Sequence, residues 1–93
     1  MSALIARRLT ISGRVQGVGF RFALADEARE RKLGGWVRNR RDGTVEALVA
    51  GPEADVEALI AWARRGPPAA QVTGVSVESA ADGGERFDIL PTV

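Results

Sequence analysis

Cysteine is absent from this 93-residue chain. That excludes a disulfide framework, a thiolate nucleophile, a thiolate metal site and thiol redox chemistry. A small chain without disulfides fits a reducing compartment. Histidine is absent as well, which excludes the Ser-His triad, imidazole acid–base catalysis and most zinc sites. Tyrosine is missing too. Any catalysis must then be run by Arg, Lys, Asp, Glu, Asn, Gln, Ser, Thr and backbone amides, a kit suited to substrates that bring their own reactivity. The acidic residues show no metal-ligand spacing, so no metal and no other cofactor is expected.

Long apolar runs are also lacking. No stretch approaches the ~20 residues needed to span a membrane, and the start, Met1 to Arg8, has no apolar run long enough for a signal peptide. The expectation is a cytoplasmic protein with no membrane partner. Nor is there an excess of one charge: 13 basic residues oppose 12 acidic ones, for a net charge of +1. All but Lys32 of the basic residues are arginine, and no polybasic tail argues for nucleic acid. What remains, 45% hydrophobic and 27% charged residues, is ordinary for a globular protein. The length fits one domain, residues 1–93. In so small a domain nearly every apolar residue must serve the core.

The chain divides by its periodicities. Arg8 to Arg14 alternates, with Leu9 and Ile11 on one face, as a half-buried strand does. Gly13, Gly17 and Gly19 mark an irregular loop. Phe20 to Lys32 is predicted helical with Leu24, Ala25 and Ala28 as its apolar stripe, stopped by Gly34-Gly35. Trp36–Asn39 and Thr44–Ala50 form a predicted hairpin around the Asp42-Gly43 turn. Trp36 is assigned to the core, and Arg38, Arg40 and Arg41 to a solvated positive rim able to steer anions. Pro52 to Arg65 places Val56, Leu59, Ile60 and Ala63 on one helix face, with Pro52 at the first helical position. Val72 to Glu78 follows as a strand with Val75 and Val77 inward. Ala80 to Gly84 turns, and Arg86 to Leu90 ends the chain as a short extra edge strand. The order βαββαβ is the α+β ferredoxin-like arrangement: a four-stranded antiparallel sheet with two helices on one face.

Two segments carry candidate chemistry. Gly13-Arg14-Val15-Gln16-Gly17-Val18-Gly19-Phe20-Arg21 joins a strand to a helix. Glycines let successive amides turn inward as an anion nest, and the helix start adds its positive end. Arg21 can grip a phosphate with its planar fork. Neither the Walker pattern nor a GxGxxG fingerprint is present, and a plain glycine-rich connector beside a surface arginine remains open. In the second segment, Gly35-Trp36-Val37-Arg38-Asn39, the amide of Asn39 offers both a donor and an acceptor, able to hold a water beside a ligand oxygen. An asparagine favoured by the turn alone stays open as well.

The first of these segments resembles the first signature of the acylphosphatases. The second, continued by Gly43, Val45 and Gly51, resembles their second signature, and the similarity runs on through Gly66-Pro67-Pro68 over nearly the whole chain. The resemblance implies the ferredoxin-like fold, a monomer, and metal-independent hydrolysis of small-molecule acyl phosphates to carboxylate and inorganic phosphate. It implies that Arg21 binds the substrate phosphate and that Asn39 positions the attacking water. It also implies that the backbone amides of Gln16, Gly17, Val18, Gly19 and Phe20 form the phosphate loop. Gly19 and Arg31 depart from common family residues, and the packing near Arg31 is the point this leaves open. Asp42 and Glu46 are the acids nearest Asn39 in sequence, and neither shows a sign of pointing inward as a base. The substrate's own phosphate oxygen is then expected to take the proton, as the family also implies.

Two other readings share this fold. An RNA-recognition module needs stacking aromatics on its third strand, and Thr44 to Ala50 has none. A non-catalytic phosphate-binding module, such as the acylphosphatase-like domain of carbamoyl-phosphate-using maturation proteins, normally heads a much larger chain.

Overall fold

Alternation in the strands and a 3.6-residue period in the helices build two layers, a sheet and a pair of helices. The computed structural model describes residues 3–93. Its elements are β1 (Leu4–Arg14), α1 (Phe20–Glu30), β2 (Gly34–Asn39), β3 (Val45–Pro52), α2 (Glu53–Arg65), β4 (Gln71–Ser79) and β5 (Phe87–Ile89). The strands lie in the order β4-β1-β3-β2-β5. β1 is antiparallel to both β3 and β4, and β2 is antiparallel to β3. The last strand corrects the purely antiparallel expectation: β5 runs parallel to β2, with Gly35 opposite Phe87 and Val37 opposite Ile89. The chain after β4 crosses to the other edge of the sheet, and a strand entering from that end can only be parallel.

The helices cover one face. Leu9 and Ile11 from β1, Val45, Ala47 and Val49 from β3, and Val37 from β2 are fully buried under them. Facing these are Phe20, Leu24, Ala25 and Ala28 of α1, and Val56, Leu59, Ile60 and Ala63 of α2. Both predicted apolar helix faces are thus the buried ones. The Phe20 and Trp62 rings meet edge to face with centroids 5.6 Å apart, tying the start of α1 to α2.

Four local expectations change. Gly34-Gly35 does not stop α1; both glycines are buried inside β2. The helix ends earlier, with Lys32 in the left-handed region at φ 59°. There the Lys32 amide donates to the Arg29 carbonyl and the Leu33 amide to the Ala28 carbonyl, a Schellman closure with lysine where glycine is usual. Pro52 precedes α2 instead of opening it: its ψ is 138° and it ends β3. Val77 is 39% exposed, because β4 is an edge strand. Trp36 is half-buried, not core. Strand parity puts Val37 under the helices and Trp36 on the uncovered face, where the Arg38 guanidinium lies 4.5 Å above its ring.

That uncovered face holds the largest departure from the expected surface. Glu46 is only 2% exposed. Its carboxylate accepts a 2.8 Å hydrogen bond from Arg38 Nε and is approached by Arg40 Nη1 at 3.5 Å and Arg8 Nη1 at 3.9 Å. Arg38 and Arg40 are therefore engaged by this buried acid and are not a purely solvated rim. Arg31, at the end of α1, is met by Glu27 at 3.6 Å and Asp55 at 3.8 Å. A charge thus takes the place of apolar packing there.

Candidate active site

The loop between β1 and α1 is fixed at both ends and free in the middle. Val15 and Phe20 are each 1% exposed and belong to the core, so Gln16 to Gly19 must arch over the gap between them. Gly17 and Gly19 take left-handed φ values of 73° and 78° with open space where a Cβ would stand. These conformations disfavour L side chains, so glycine here eases the backbone path and does not relieve crowding.

Gly19 is also the N-cap of α1, and no side chain caps it. The first turn of α1 contains no acidic residue, whereas α2 carries Glu53 and Asp55 in its first turn. The positive end of α1 is thus left for a ligand, while that of α2 is offset by its acidic first turn. A pocket of about 160 Å³ opens at this helix start, lined by Val15, Gly17, Gly19, Phe20, Arg21, Phe22 and Asn39. Among the described residues, Arg21 is the one ionisable side chain on its wall.

Asn39 arrives from the other side. It pairs with Val45 at the end of β2, and parity places it on the helix face with Val37. Among the described residues, neither the Asn39 amide nor the Arg21 guanidinium has a hydrogen-bonding or ion-pair partner. The Asn39 backbone is nonetheless held: its carbonyl accepts from the Val93 amide at 3.1 Å, and the Arg41 amide donates to the Val93 carbonyl at 2.7 Å. The two residues singled out in the sequence, 18 positions apart by their numbers, therefore line one pocket. Gly17, Gly19 and Phe20 join them on its wall; Gln16 and Val18 belong to the same loop but do not line it.

Gln16 has a role that sequence reasoning missed. Its side-chain Nε2 donates to the Arg40 carbonyl at 2.7 Å and to the Thr44 carbonyl at 3.0 Å. The loop is thereby tied to the hairpin that carries Asn39. The only hint in the sequence was a polar residue among loop glycines, with nothing to show its distant partners.

Neither neighbouring acid is poised to act at the pocket. Glu46 faces the opposite side of the sheet, since it pairs with Arg38 while Asn39 pairs with Val45. Asp42 caps its own turn, accepting from both the Thr44 hydroxyl and the Thr44 amide. Those hydrogen bonds, the hydroxyl's first, lower its pKa below the ordinary carboxylate value. Among the described residues, no group of three or more Asp or Glu could hold a metal ion. A wider depression of about 840 Å³ lies at the other end of the sheet, around Leu4, Ala50 and Ala80. It mixes Arg7 and Lys32 with Asp82 and Glu85, so its charges balance and no single ligand chemistry is favoured.

Comparison with known proteins gives a consistent picture. The acylphosphatase family model matches residues 7–89. An acylphosphatase of Azoarcus sp. is 56% identical over 92 residues, covering 98% of this chain and 94% of its own. The crystal structure of acylphosphatase from Bacillus subtilis superposes with a TM-score of 0.88 at 43% identity, covering 95% of this chain and 99% of that one. Full-length HypF, in a phosphate- and nucleotide-bound form, contains a similar unit with a TM-score of 0.88 at 30% identity; the match covers 99% of this chain but 12% of that one.

Proposed function

The chain belongs to the acylphosphatase family, and from that premise we propose how its residues divide the hydrolysis of an acyl phosphate. The substrate is a small carboxyl-phosphate anhydride, already activated because a carboxylate is a good leaving group. What the enzyme must supply is orientation and charge stabilisation. Arg21 pairs with the phosphoryl oxygens through its planar fork. The amides of Gln16 to Phe20, with the uncapped start of α1, surround the same group. Asn39 holds a water in line with the phosphorus, on the side away from the leaving carboxylate. Water oxygen bonds to phosphorus, the bond from phosphorus to the bridging oxygen breaks, and the carboxylate leaves with that electron pair. The water's proton passes to a phosphoryl oxygen, because Glu46 faces away from the pocket and Asp42 is engaged with Thr44.

The observation that supports this division is the meeting of Arg21 and Asn39, neither with a hydrogen-bonding or ion-pair partner among the described residues, on one pocket at the bare N-terminus of α1. The reading takes residues 1–93 as one catalytic domain, both residues coming from one chain, and takes it as a monomer, as the family resemblance implies. It places the enzyme in the cytoplasm, in keeping with a cysteine-free chain, and gives it no nucleic-acid partner. Among the described residues, no helix is long and apolar enough to cross a membrane.

The test is phosphate release from benzoyl phosphate by the purified protein and by Arg21→Ala, with EDTA present throughout. Turnover by the parent and at least a hundredfold loss in the variant are expected. No release by well-folded parent protein, or release that needs added Mg²⁺, overturns the mechanism.

A further inference from the structure

Phe22 is the exception among the three phenylalanines of the chain. Phe20 and Phe87 are buried, whereas Phe22 is 59% exposed. It follows Arg21 directly and lines the same pocket. Its ring centroid lies 5.6 Å from the Arg21 guanidinium carbon. Among the described residues, the other exposed large apolar side chains, Leu4, Val77 and Val93, do not line this pocket. A large aromatic ring left in water beside the one cation of a binding site is placed to receive an apolar group held next to that cation.

We propose that Phe22 is a specificity-determining residue: its ring receives the acyl group of the substrate and favours aromatic or bulky apolar acyl phosphates over small ones. The proposal rests on the reading of Arg21 as the phosphate ligand. The acyl carbon is two bonds from phosphorus. A phosphoryl group on the Arg21 fork therefore brings a benzoyl ring within the ~4.5–7 Å over which aromatic rings interact. Of the rest of the wall, Asn39 is assigned to the water, and Val15, Gly17, Gly19 and Phe20 offer the acyl group no charge, so selection there works through apolar contact. An acetyl group is too short to cover the ring. A charged acyl group would gain nothing from it.

The competing role for Phe22 is to orient the Arg21 guanidinium through the contact of cation and ring. In that case every substrate suffers equally when the ring is removed. The experiment measures kcat and KM for benzoyl phosphate and acetyl phosphate with the parent, Phe22→Ala and Phe22→Leu, after thermal melts show that the variants fold. The benzoyl-to-acetyl ratio of kcat/KM should fall about five- to tenfold in Phe22→Ala, mostly through KM for benzoyl phosphate. Phe22→Leu, which keeps apolar area but no ring, should fall between. A ratio equal to the parent's, whether both substrates decline together or neither does, overturns the proposal. A parent inactive on both substrates overturns the catalytic reading itself, and with it any role for Phe22 in selecting substrates.

Discussion

Gln16 and Arg40 meet across 24 positions of sequence: the side-chain amide of the first donates a 2.7 Å hydrogen bond to the backbone carbonyl of the second. The same amide nitrogen reaches the Thr44 carbonyl. Arg40 and Thr44 are themselves closed on each other, the Arg40 amide donating to the Thr44 carbonyl at 2.9 Å. Gln16 thus plugs the mouth of the hairpin one residue after Asn39. The loop before α1 and Asn39 belong to different elements, and this side chain ties the one to the hairpin that carries the other.

Breaking that link gives the first prediction. Gln16→Ala removes two hydrogen bonds and should lower stability by about 1–3 kcal/mol. It should also lower kcat roughly tenfold while KM changes less, because the loop can still wrap phosphate but no longer stands at a fixed distance from Asn39. Gln16→Glu should be worse than alanine, since an acceptor then faces two carbonyls and adds negative charge beside the phosphate loop. Urea unfolding and steady-state kinetics check both. A Gln16→Ala protein that loses stability but keeps parental kcat would reduce Gln16 to a structural tie.

The folded arrangement was legible in the sequence where period and burial coincide. Val56, Leu59, Ile60 and Ala63 recur at helical spacing because each faces the sheet, and all four are buried. The pocket that Arg21 and Asn39 share joins the two signature segments around them. What the sequence did not disclose depends on partners far along the chain. Gln16 finds its carbonyls 24 and 28 residues away. Glu46 occupies an outward position of its strand and reads as solvated. It lies beneath arginines from β1, β2 and the turn that follows β2. Trp36 shows the converse: its size argued for the core, but strand parity decided its face. The parallel pairing of β5 rests on a crossover that no local pattern encodes.

The second prediction concerns Glu46 and the source of the base. Glu46→Gln leaves Arg38 without a counter-charge, while Arg8 keeps Glu78 and Arg40 keeps Asp42, and all three arginines have access to water. The cost should be about 1–3 kcal/mol, below that of a fully buried pair, read as a lower urea midpoint. Because Glu46 faces away from Asn39, kcat should stay within about twofold of the parent once the protein is folded. A hundredfold loss of kcat in folded Glu46→Gln would identify a protein base and end the substrate-assisted account of the proton.

Inorganic phosphate supplies the third. A site that holds the phosphoryl group also holds the product, so phosphate and sulfate should inhibit competitively against benzoyl phosphate. Phosphate should also raise Tm by mass action, with a stabilisation of about 2.7 kcal/mol at one hundred times its Kd. Arg21→Ala should abolish both effects. Inhibition that substrate cannot relieve would locate the anion elsewhere, with the charge-balanced depression around Arg7 and Lys32 as the first place to examine.

The last prediction separates Arg21 from Asn39. Arg21 is assigned to the phosphate in both the ground state and the transition state. A hydrogen bond to a charged group contributes about 1.5–3 kcal/mol, and more where water is excluded. Arg21→Ala should therefore raise KM and the inhibition constant for phosphate, and also lower kcat. Arg21→Lys should restore little, since a point charge cannot reproduce a two-pronged grip. Asn39 is assigned to the water. Its side chain has no protein partner among the described residues, and its backbone is held by Val93 and by its strand neighbours. Asn39→Ala should then fold like the parent, as circular dichroism would show. It should bind phosphate nearly as well and lose kcat by a hundredfold or more, because the nucleophile is no longer aimed. If Asn39→Ala weakens phosphate binding as severely as Arg21→Ala does, the asparagine amide is a phosphate ligand. The water must then be positioned by the loop amides alone.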